Sequence, residues 1–193
     1  MTRGPLIIVS GPSGSGKSTL IRRVLQEGKY PLRLAVSATT RPPRPGEREG
    51  VDYHFWSPQR FEQERLLGAF LEYARVHGQN WYGTPRAEVE GYREKGVGVV
   101  LDIDVEGAAQ VRAACPDQVS VFVKLSRWEM YEERLRQRGS ETEASIARRL
   151  ETARRELERI SEYDQVIVND DLQRATEELL GWIGRQFPPA GDA

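Results

Sequence analysis

LIIVSGPSGSGKS, from Leu6 to Ser18, is the segment on which the other assignments in this chain depend. Its first residues form a short apolar run of the kind that makes a buried strand. The run leads directly into Gly11-x-x-x-x-Gly16-Lys17-Ser18, the spacing of a phosphate-binding P-loop. A helix-compatible segment, Thr19 to Leu25, follows without a gap. The sequence therefore predicts strand, loop and helix in the order that a P-loop requires.

The residue types in this loop are those that a triphosphate site needs. Glycines at 11, 14 and 16 tolerate the φ values at which successive backbone N–H groups converge on one anion. The following helix adds the positive end of its dipole, and Lys17 supplies a cation for the β- and γ-phosphates. The Ser18 hydroxyl is placed for Mg²⁺. A glycine-rich surface turn is the alternative, but a long pattern between a strand and a helix favours phosphate binding.

Composition and charge limit the classes of protein that this chain can belong to. A length of 193 residues suits one α/β domain with inserted lobes. The chain has no apolar segment of membrane-spanning length and no signal-peptide pattern at residues 1–10, so we expect a cytoplasmic protein without a membrane partner. Cys115 is the single cysteine, which excludes an internal disulfide. Arginines gather at 41–48 and 134–155 while the net charge is −1, which favours small phosphate-bearing ligands over nucleic acid.

The second half of the chain alternates between strand and helix patterns, as α/β folds do. Apolar runs predict core strands at 97–103, 119–125 and 165–168. Periodic segments predict helices at 105–114, 127–138, 142–160 and 172–187, with an S-x-x-E capping box at Ser140 to Glu143. The first of these strands ends at Asp102 and Asp104, and a central parallel strand would deliver both carboxylates beside the P-loop.

Residues 34–96 have a different, mainly β pattern. The predicted elements are strands at 34–37 and 51–56, a helix at 58–69, a hairpin of 70–77 and 80–83 that turns at Gly78-Gln79, and a helix at 86–95 that stops at Gly96. The segment TTRPPRPGEREG, residues 39–50, contains three prolines and cannot be helical. Its prolines would fix the backbone around Arg41 and Arg44, so that two cations are held ready for an anion.

Six segments, in order along nearly the whole chain, resemble the guanylate kinase family. They are GPSGSGKS (11–18), SATTRPPRPGEREGVDYHF (37–55), FLEYARVHGQNWYGTP (70–85), LDIDVEG (101–107), RGSETEASIARRL (138–150) and VIVND (166–170). The resemblance implies one domain over residues 4–184, an α/β P-loop protein with a parallel sheet in three layers. Its expected parts are a core (4–33, 97–126 and 161–187), an inserted, mainly β GMP-binding lobe (34–96), a helical lid (127–160) and a flexible tail (188–193).

The resemblance also implies a GMP site. Its phosphate clamp is expected to consist of Arg41, Arg44, Tyr53 and Tyr82, since guanidinium groups pair bidentately with phosphate and phenols complete the shell. For the tyrosines, strand alternation alone leaves sheet packing as an equal alternative. The residues implied for guanine are Ser37, Glu72, Thr84 and Asp104. One carboxylate can accept both the N1–H and the exocyclic amine of guanine, whereas adenine would set a lone pair against it. Relatives often carry serine where Thr84 stands.

The remaining implied residues concern ATP and Mg²⁺. ATP is expected to bind Gly11, Pro12, Ser13, Gly14, Ser15, Gly16, Lys17, Ser18, Thr19, Arg138 and Asn169. Ser18 and Asp102 are the implied Mg²⁺ residues, directly or through water. The implied catalytic residues are Lys17, Arg41, Arg138 and Arg149, of which the last two belong to the lid. The neighbouring arginines 134, 136, 148, 154 and 155 have the same composition, and most are expected to be solvated.

The function implied by the resemblance is in-line transfer of the γ-phosphoryl group of ATP to GMP or dGMP, with Mg²⁺, in purine nucleotide metabolism and recycling. The expected partners are GMP and ATP, and the expected state is a monomer or homodimer. One alternative is a non-catalytic guanylate-kinase-like module that binds proteins, although its P-loop would typically be degraded. Another is a kinase for a different acceptor, which Glu72, Ser37 and Thr84 disfavour. A GTPase switch would carry an N-K-x-D stretch, which this sequence lacks.

Overall fold

Five parallel strands form a central sheet in the structure, a computed structural model that describes residues 2–76, 80–137 and 142–187. In sheet order they are β2 (Leu32–Leu34), β7 (Gly98–Asp102), β1 (Leu6–Ser10), β8 (Gln118–Lys124) and β9 (Gln165–Val168). Strand β1 lies in the middle and is buried along its whole length. Parallel strands covered on both faces are apolar throughout, which explains the run that precedes the P-loop.

Helices cover both faces of this sheet. Helices α1 (Lys17–Glu27) and α7 (Leu172–Gly184) pack on one face, where Leu20 and Ile183 join the buried cluster around Ile7. Helix α4 (Val105–Ala114) packs on the other face, where Val111 lies in the cluster around Leu6. Alternate residues of β1 thus point into two separate cores. The three-layer α/β core predicted from the sequence is confirmed.

A second, four-stranded sheet is inserted between β2 and β7. Its order is β4 (His54–Phe55), β3 (Ala38–Thr39), β6 (Asn80–Pro85) and β5 (Phe70–Val76), with β5 and β6 antiparallel. Helix α2 (Pro58–Leu66) packs on this sheet through Phe61, whose ring stacks on Phe70 at 4.5 Å between centroids. This small aromatic core is separate from the two cores of the parallel sheet. The insertion is mainly β with one helix, as predicted.

The remaining helices are α3 (Glu90–Arg93), α5 (Glu129–Gln137) and α6 (Glu143–Leu157), with 3₁₀ turns at Arg86–Glu88 and Ile160–Glu162. Helices α5 and α6 contact each other, and the Arg154 guanidinium lies 4.8 Å from the centre of the Trp128 ring. None of the helices in the described part of the chain is both long and apolar enough to cross a membrane.

The strand predicted at 34–37 is wrong, because that pattern covers the crossing between the two sheets. Leu34 is the last residue of β2 and pairs with Val100 in the parallel sheet. Ala38 begins β3 and pairs with Gly83 in the second sheet. A short apolar alternation cannot show which sheet each residue joins, so it predicts a strand across residues that in fact link the two sheets.

The strand predicted at 51–56 is shorter than expected, because a turn takes its first half. The Gly50 N–H donates to the Tyr53 carbonyl at 2.9 Å, and the Arg48 N–H donates to the Asp52 carboxylate at 2.8 Å. These bonds close the chain on itself before β4 begins. The helix predicted at 86–95 is a 3₁₀ turn followed by the short α3, which ends at Arg93, before the predicted stop. Gly96, with φ at +79°, lies in the turn that follows.

The predicted cap of α6 is also displaced. Thr142, not Ser140, is the N-cap residue, and its hydroxyl accepts a hydrogen bond from the Ser145 N–H at 3.3 Å. Ser140 lies outside the described residues, as do the predicted turn at Gly78-Gln79 and the predicted tail at 188–193.

Candidate active site

The P-loop joins β1 to α1, as the sequence predicts. Gly11 and Gly16 have φ values of +134° and +86°, which side-chain-bearing residues rarely adopt. A Cβ atom on Gly11 would clash with the Val123 carbonyl, and one on Gly16 would lie 2.5 Å from the Asn169 side-chain nitrogen. The Lys17 Nζ donates to the Gly11 carbonyl at 2.6 Å, so the lysine lies across the mouth of the loop.

Two oxygen-bearing side chains meet at the start of α1. The Ser18 hydroxyl donates to the Asp102 carboxylate at 2.6 Å, because β7 pairs with β1 and ends beside the P-loop. A hydroxyl and a carboxylate are ligands that Mg²⁺ prefers, so this pair fits the predicted metal. Within residues 2–76, 80–137 and 142–187 there is no cluster of three or more His, Cys, Asp or Glu residues that could hold a metal. A Mg²⁺ ion here would therefore need ligands from water and phosphate as well.

Glu72 and Thr84 face each other across the hairpin of β5 and β6. They are cross-strand partners, and the Thr84 hydroxyl donates to the Glu72 Oε1 at 2.7 Å. Both side chains are buried. Burial raises the pKa of Glu72 to about 7, an effect that the Thr84 hydrogen bond opposes and the nearby Asp104 carboxylate increases. The structure thus holds a buried carboxylate whose charge is sensitive to pH near neutrality.

The first turn of α4 closes the other side of Glu72. Asp104 caps this helix, with its Oδ1 accepting a hydrogen bond from the Gly107 N–H at 2.8 Å. A Cβ atom on Gly107 would lie 2.9 Å from the Glu72 Oε2, so glycine permits the close approach of the carboxylate. A cavity of about 140 Å³ extends from this end to Asp102, and its lining includes Ser37, Tyr53, Glu72, Tyr82, Asp102 and Asp104. Five of these six residues were predicted to bind GMP, and the sixth to order Mg²⁺.

Arg41 is held in place by acceptors at all three nitrogen atoms of its guanidinium group. Its Nε donates to the Tyr82 hydroxyl at 2.9 Å, and its two Nη atoms donate to the Glu47 carboxylate at 2.6 Å each. The Arg41 guanidinium lies 5.0 Å from the centre of the Tyr53 ring. The hydrogen bonds from Arg41 hold the pKa of Glu47 at about 2. Arg44 has an exposed side chain, and its backbone N–H donates to Glu47 at 2.7 Å.

Glu47 is a residue that sequence reasoning missed. It lies in the proline-stiffened segment that was singled out for its arginines, three residues after Arg44. One signal in the sequence could have indicated its role. Glu47 is an acid among several cations, and the prolines of this loop keep the acid and the cations close together. In the structure this acid orients Arg41 toward Tyr53 and Tyr82, while Arg44 keeps its side chain in solvent.

Residues from α5 and from the end of β9 contact the P-loop at the predicted ATP site. Asn169, directly after β9, is buried, and its Nδ2 donates to the Ser15 carbonyl at 2.8 Å. Arg134 of α5 donates to the Asn169 carbonyl at 3.0 Å and to the Ser15 carbonyl at 3.4 Å. A cleft of about 410 Å³ lies here, and its lining includes Gly14, Gly16, Thr19, Arg134, Asn169 and Asp170. Arg134 was grouped with solvated arginines on composition alone, and the structure places it against the P-loop.

The predicted lid arginines have different outcomes. Arg149 of α6 reaches the P-loop, where its Nη2 donates to the Ser13 hydroxyl at 2.5 Å. Arg138 lies outside the described residues. Ser18, which pairs with Asp102, belongs to the same loop that Asn169, Arg134 and Arg149 contact.

Comparison with known proteins identifies the family. The family model described as guanylate kinase matches residues 3–186. The chain belongs to the guanylate kinase family. Over 192 residues it is 48% identical to the guanylate kinase of Rubrobacter xylanophilus, covering 100% of this chain and 99% of that protein. It is also 48% identical to the guanylate kinase of Syntrophotalea carbinolica, covering 93% of this chain and 85% of the relative.

A solved structure supports the same membership. The crystal structure of guanylate kinase from Anaplasma phagocytophilum superposes with a TM-score of 0.79 at 29% sequence identity, covering 98% of this chain and 89% of that one. The resemblance inferred from six sequence segments is therefore confirmed, and so is the α/β P-loop fold class. Membership in an enzyme family, with Lys17 and Ser18 intact, does not favour the non-catalytic alternative.

Proposed function

We propose that this guanylate kinase transfers the γ-phosphoryl group of ATP to GMP, and to dGMP, yielding ADP and the nucleoside diphosphate. One observation carries this proposal: the cavity that begins at the buried Glu72 ends at Asp102, which is hydrogen-bonded to Ser18 of the P-loop. A base bound at Glu72 would thus direct its phosphate toward the loop that binds a triphosphate. Two phosphate ends meeting in line is what phosphoryl transfer requires.

Guanine specificity follows from the surroundings of Glu72. Its carboxylate accepts the N1–H and the exocyclic amine of guanine, while the Ser37 hydroxyl is the donor available to the O6 atom. The Thr84 hydroxyl donates to Glu72 in the structure, so it would reach O6 only by giving up that hydrogen bond. Asp104 is a further acceptor at the same end of the cavity. Adenine would present an unprotonated N1 to the buried carboxylate and leave it unpaired, and sites of this kind discriminate by about 10⁴.

The phosphate of GMP binds at Arg41. This guanidinium is fixed by Tyr82 and Glu47 before the ligand arrives, so little side-chain entropy is lost on binding. Tyr53 completes the clamp by a hydroxyl without added charge, and the exposed Arg44 closes on the phosphate from solvent. The acceptor oxygen is anionic at neutral pH, so the reaction needs alignment and charge neutralisation rather than a strong general base.

Lys17, Arg138 and Arg149 neutralise the charge that spreads over the transferred group. The P-loop residues 11–19 cradle the ATP phosphates, and Asn169 lies beside the ATP base. Ser18 and Asp102 would hold Mg²⁺, directly or through water, and the ion would supply charge neutralisation at the ATP phosphates. Closure of the GMP-binding lobe (34–96) and the lid (127–160) over the core excludes water, which would otherwise accept the phosphoryl group. A cytoplasmic monomer or homodimer suits this reaction.

A coupled assay of ADP release tests the proposed specificity. GMP, dGMP, AMP, UMP and CMP are offered in parallel to the same preparation with ATP and Mg²⁺. The proposal predicts turnover with GMP and dGMP and at least about a hundredfold lower kcat/KM with the other three nucleotides. Preference for AMP or a pyrimidine nucleotide would contradict the assignment of Glu72.

A further inference from the structure

Glu156 is a buried carboxylate on α6 that the proposed reaction does not use. The residue is only 9% exposed, and its Oε2 atom has no hydrogen-bond partner among the described residues. A buried acid without full hydrogen bonding is destabilising unless nearby charges compensate for it. Glu151, on the same helix, has a side chain that is 72% exposed. Solubility therefore explains Glu151 but not Glu156.

The face of α6 that carries Glu156 is the face that contacts the P-loop. Ile146, Ala153 and Glu156 are the buried residues of the helix, and Arg149 falls between them at helical spacing. Arg149 donates to the hydroxyl of Ser13 in the P-loop. Glu156 lies two turns further along the same face, so its carboxylate is carried toward the loop by the same packing.

The charged groups around Glu156 belong mostly to the phosphate-binding machinery. Burial raises its pKa, and the Asp104 carboxylate adds to that rise. The positive charge of Lys17, the Ser13 backbone N–H and the Arg149 guanidinium act in the opposite direction and favour the ionised carboxylate. Two cations, one on the lid helix and one in the P-loop, thus act on the Glu156 carboxylate, and Asp104 is a second anion nearby. Loss of the Glu156 charge would leave less negative charge to offset the repulsion between Arg149 and Lys17 as the helix approached the loop.

We infer that Glu156 is a positioning residue, whose carboxylate holds α6 against the P-loop at Ser13 while no nucleotide is bound. It does so by balancing Lys17 and Arg149 until the phosphates of ATP take over that role. The inference rests on the proposed function, because it assumes that residues 127–160 are a lid and that Glu156 keeps this lid near the core. Once ATP supplies negative charge, closure no longer depends on Glu156.

Hydrogen exchange of the nucleotide-free protein tests this role. In Glu156→Gln, which keeps nearly the same shape but loses the charge, we expect the amides of α6 and of residues 11–16 to exchange about tenfold faster than in the wild type. Saturation with a non-hydrolysable ATP analogue and Mg²⁺ should remove that difference. Glu151→Gln removes an exposed charge from the same helix and should leave the exchange unchanged.

A second variant separates charge from packing. Glu156→Asp keeps the charge on a shorter side chain, so the electrostatic role predicts that it restores at least part of the protection lost in Glu156→Gln. A role in packing alone predicts the reverse order, with the isosteric Gln close to the wild type and Asp the more damaged variant. The inference would be overturned by that reverse order or by unchanged exchange in Glu156→Gln. It would also be overturned if exchange became faster to the same extent in α7 and in the second sheet. These measurements need no turnover, so failure of the wild type to phosphorylate GMP would refute the proposed function separately.

Discussion

Lowering the pH from 8 to 6 should weaken the binding of GMP more than the titration of the nucleotide itself can explain. The reason is Glu72, which must be ionised to accept two protons from guanine. In the ligand-free protein, burial raises the pKa of this carboxyl to about 7. Binding of guanine therefore competes with binding of a proton, and GMP affinity should fall as the pH falls through 7.

The size of the effect follows from that pKa. At pH 8 about ten in eleven molecules have an ionised Glu72, and at pH 6 about one in eleven, so Kd should rise about tenfold from this group alone. The GMP phosphate also titrates, with a second pKa of about 6. Glu72→Gln removes the first contribution and keeps the second, so the difference between the two pH profiles isolates Glu72.

Titration calorimetry with GMP at pH 6, 7 and 8 provides the comparison. The wild type should lose about tenfold more affinity across this range than Glu72→Gln, whose affinity is weaker throughout. Parallel profiles of the two proteins would refute the reasoning, because they would show that Glu72 does not titrate in this range or does not contact the base. Higher wild-type affinity at pH 6 than at pH 8 would refute it as well.

The pH dependence of folding stability is an independent test of the raised pKa of Glu72. The pKa of Glu72 is raised from 4.5 in the unfolded chain to about 7 in the native protein, so the native state binds the proton more tightly. Stability from this group is therefore present at low pH and is lost as the pH rises from about 4.5 to 7. Above pH 7 the cost is about 3 kcal/mol, as an order of magnitude, and Glu72→Gln does not incur it. Denaturant unfolding at pH 8 should show Glu72→Gln to be the more stable protein.

Three further substitutions probe other parts of the site. Lys17→Ala should lower kcat at least about a hundredfold with an unchanged thermal midpoint, because Lys17 acts on the transferred phosphate rather than on packing; near-normal turnover would remove this assignment. Asp102→Asn should raise the Mg²⁺ concentration needed for half-maximal activity about tenfold, and an unaltered Mg²⁺ dependence would exclude Asp102 from the metal site. Glu47→Gln should raise the KM for GMP about tenfold and leave that for ATP unchanged, since its contacts are with Arg41 and Arg44, both in the proposed GMP clamp; equal changes in both would argue against its proposed role.

The parts of the structure that sequence reasoning predicted are those with local signals. The P-loop is recognisable because the glycine spacing and Lys17 occur between a buried strand and a helix, and the structure shows why Gly11 and Gly16 allow no side chain. The core strands are recognisable because parallel strands buried on both faces must be continuously apolar. Glu72 required the resemblance to a family, since nothing in its neighbourhood marks it as the buried acid of β5.

The parts that sequence reasoning missed depend on which side of an element faces the core. Arg134 and Arg136 lie on one helix in similar surroundings, yet Arg134 contacts Ser15 and Asn169 while Arg136 pairs with Glu132 and Glu143. The crossing from one sheet at Leu34 to the other at Ala38 likewise depends on pairing partners far away in the chain. Local pattern carries no information about such partners, because each pairing is decided by tertiary packing.

The crystal structure of this protein with a bisubstrate analogue, in which the phosphates of ATP and GMP are joined in one chain, would test the central claim most directly. We predict that guanine hydrogen-bonds to Glu72 and Thr84, that the phosphate chain passes Arg41 into the P-loop beside Lys17, and that adenine lies near Asn169. A guanine bound away from Glu72, or a phosphate chain that does not enter the P-loop, would contradict the account.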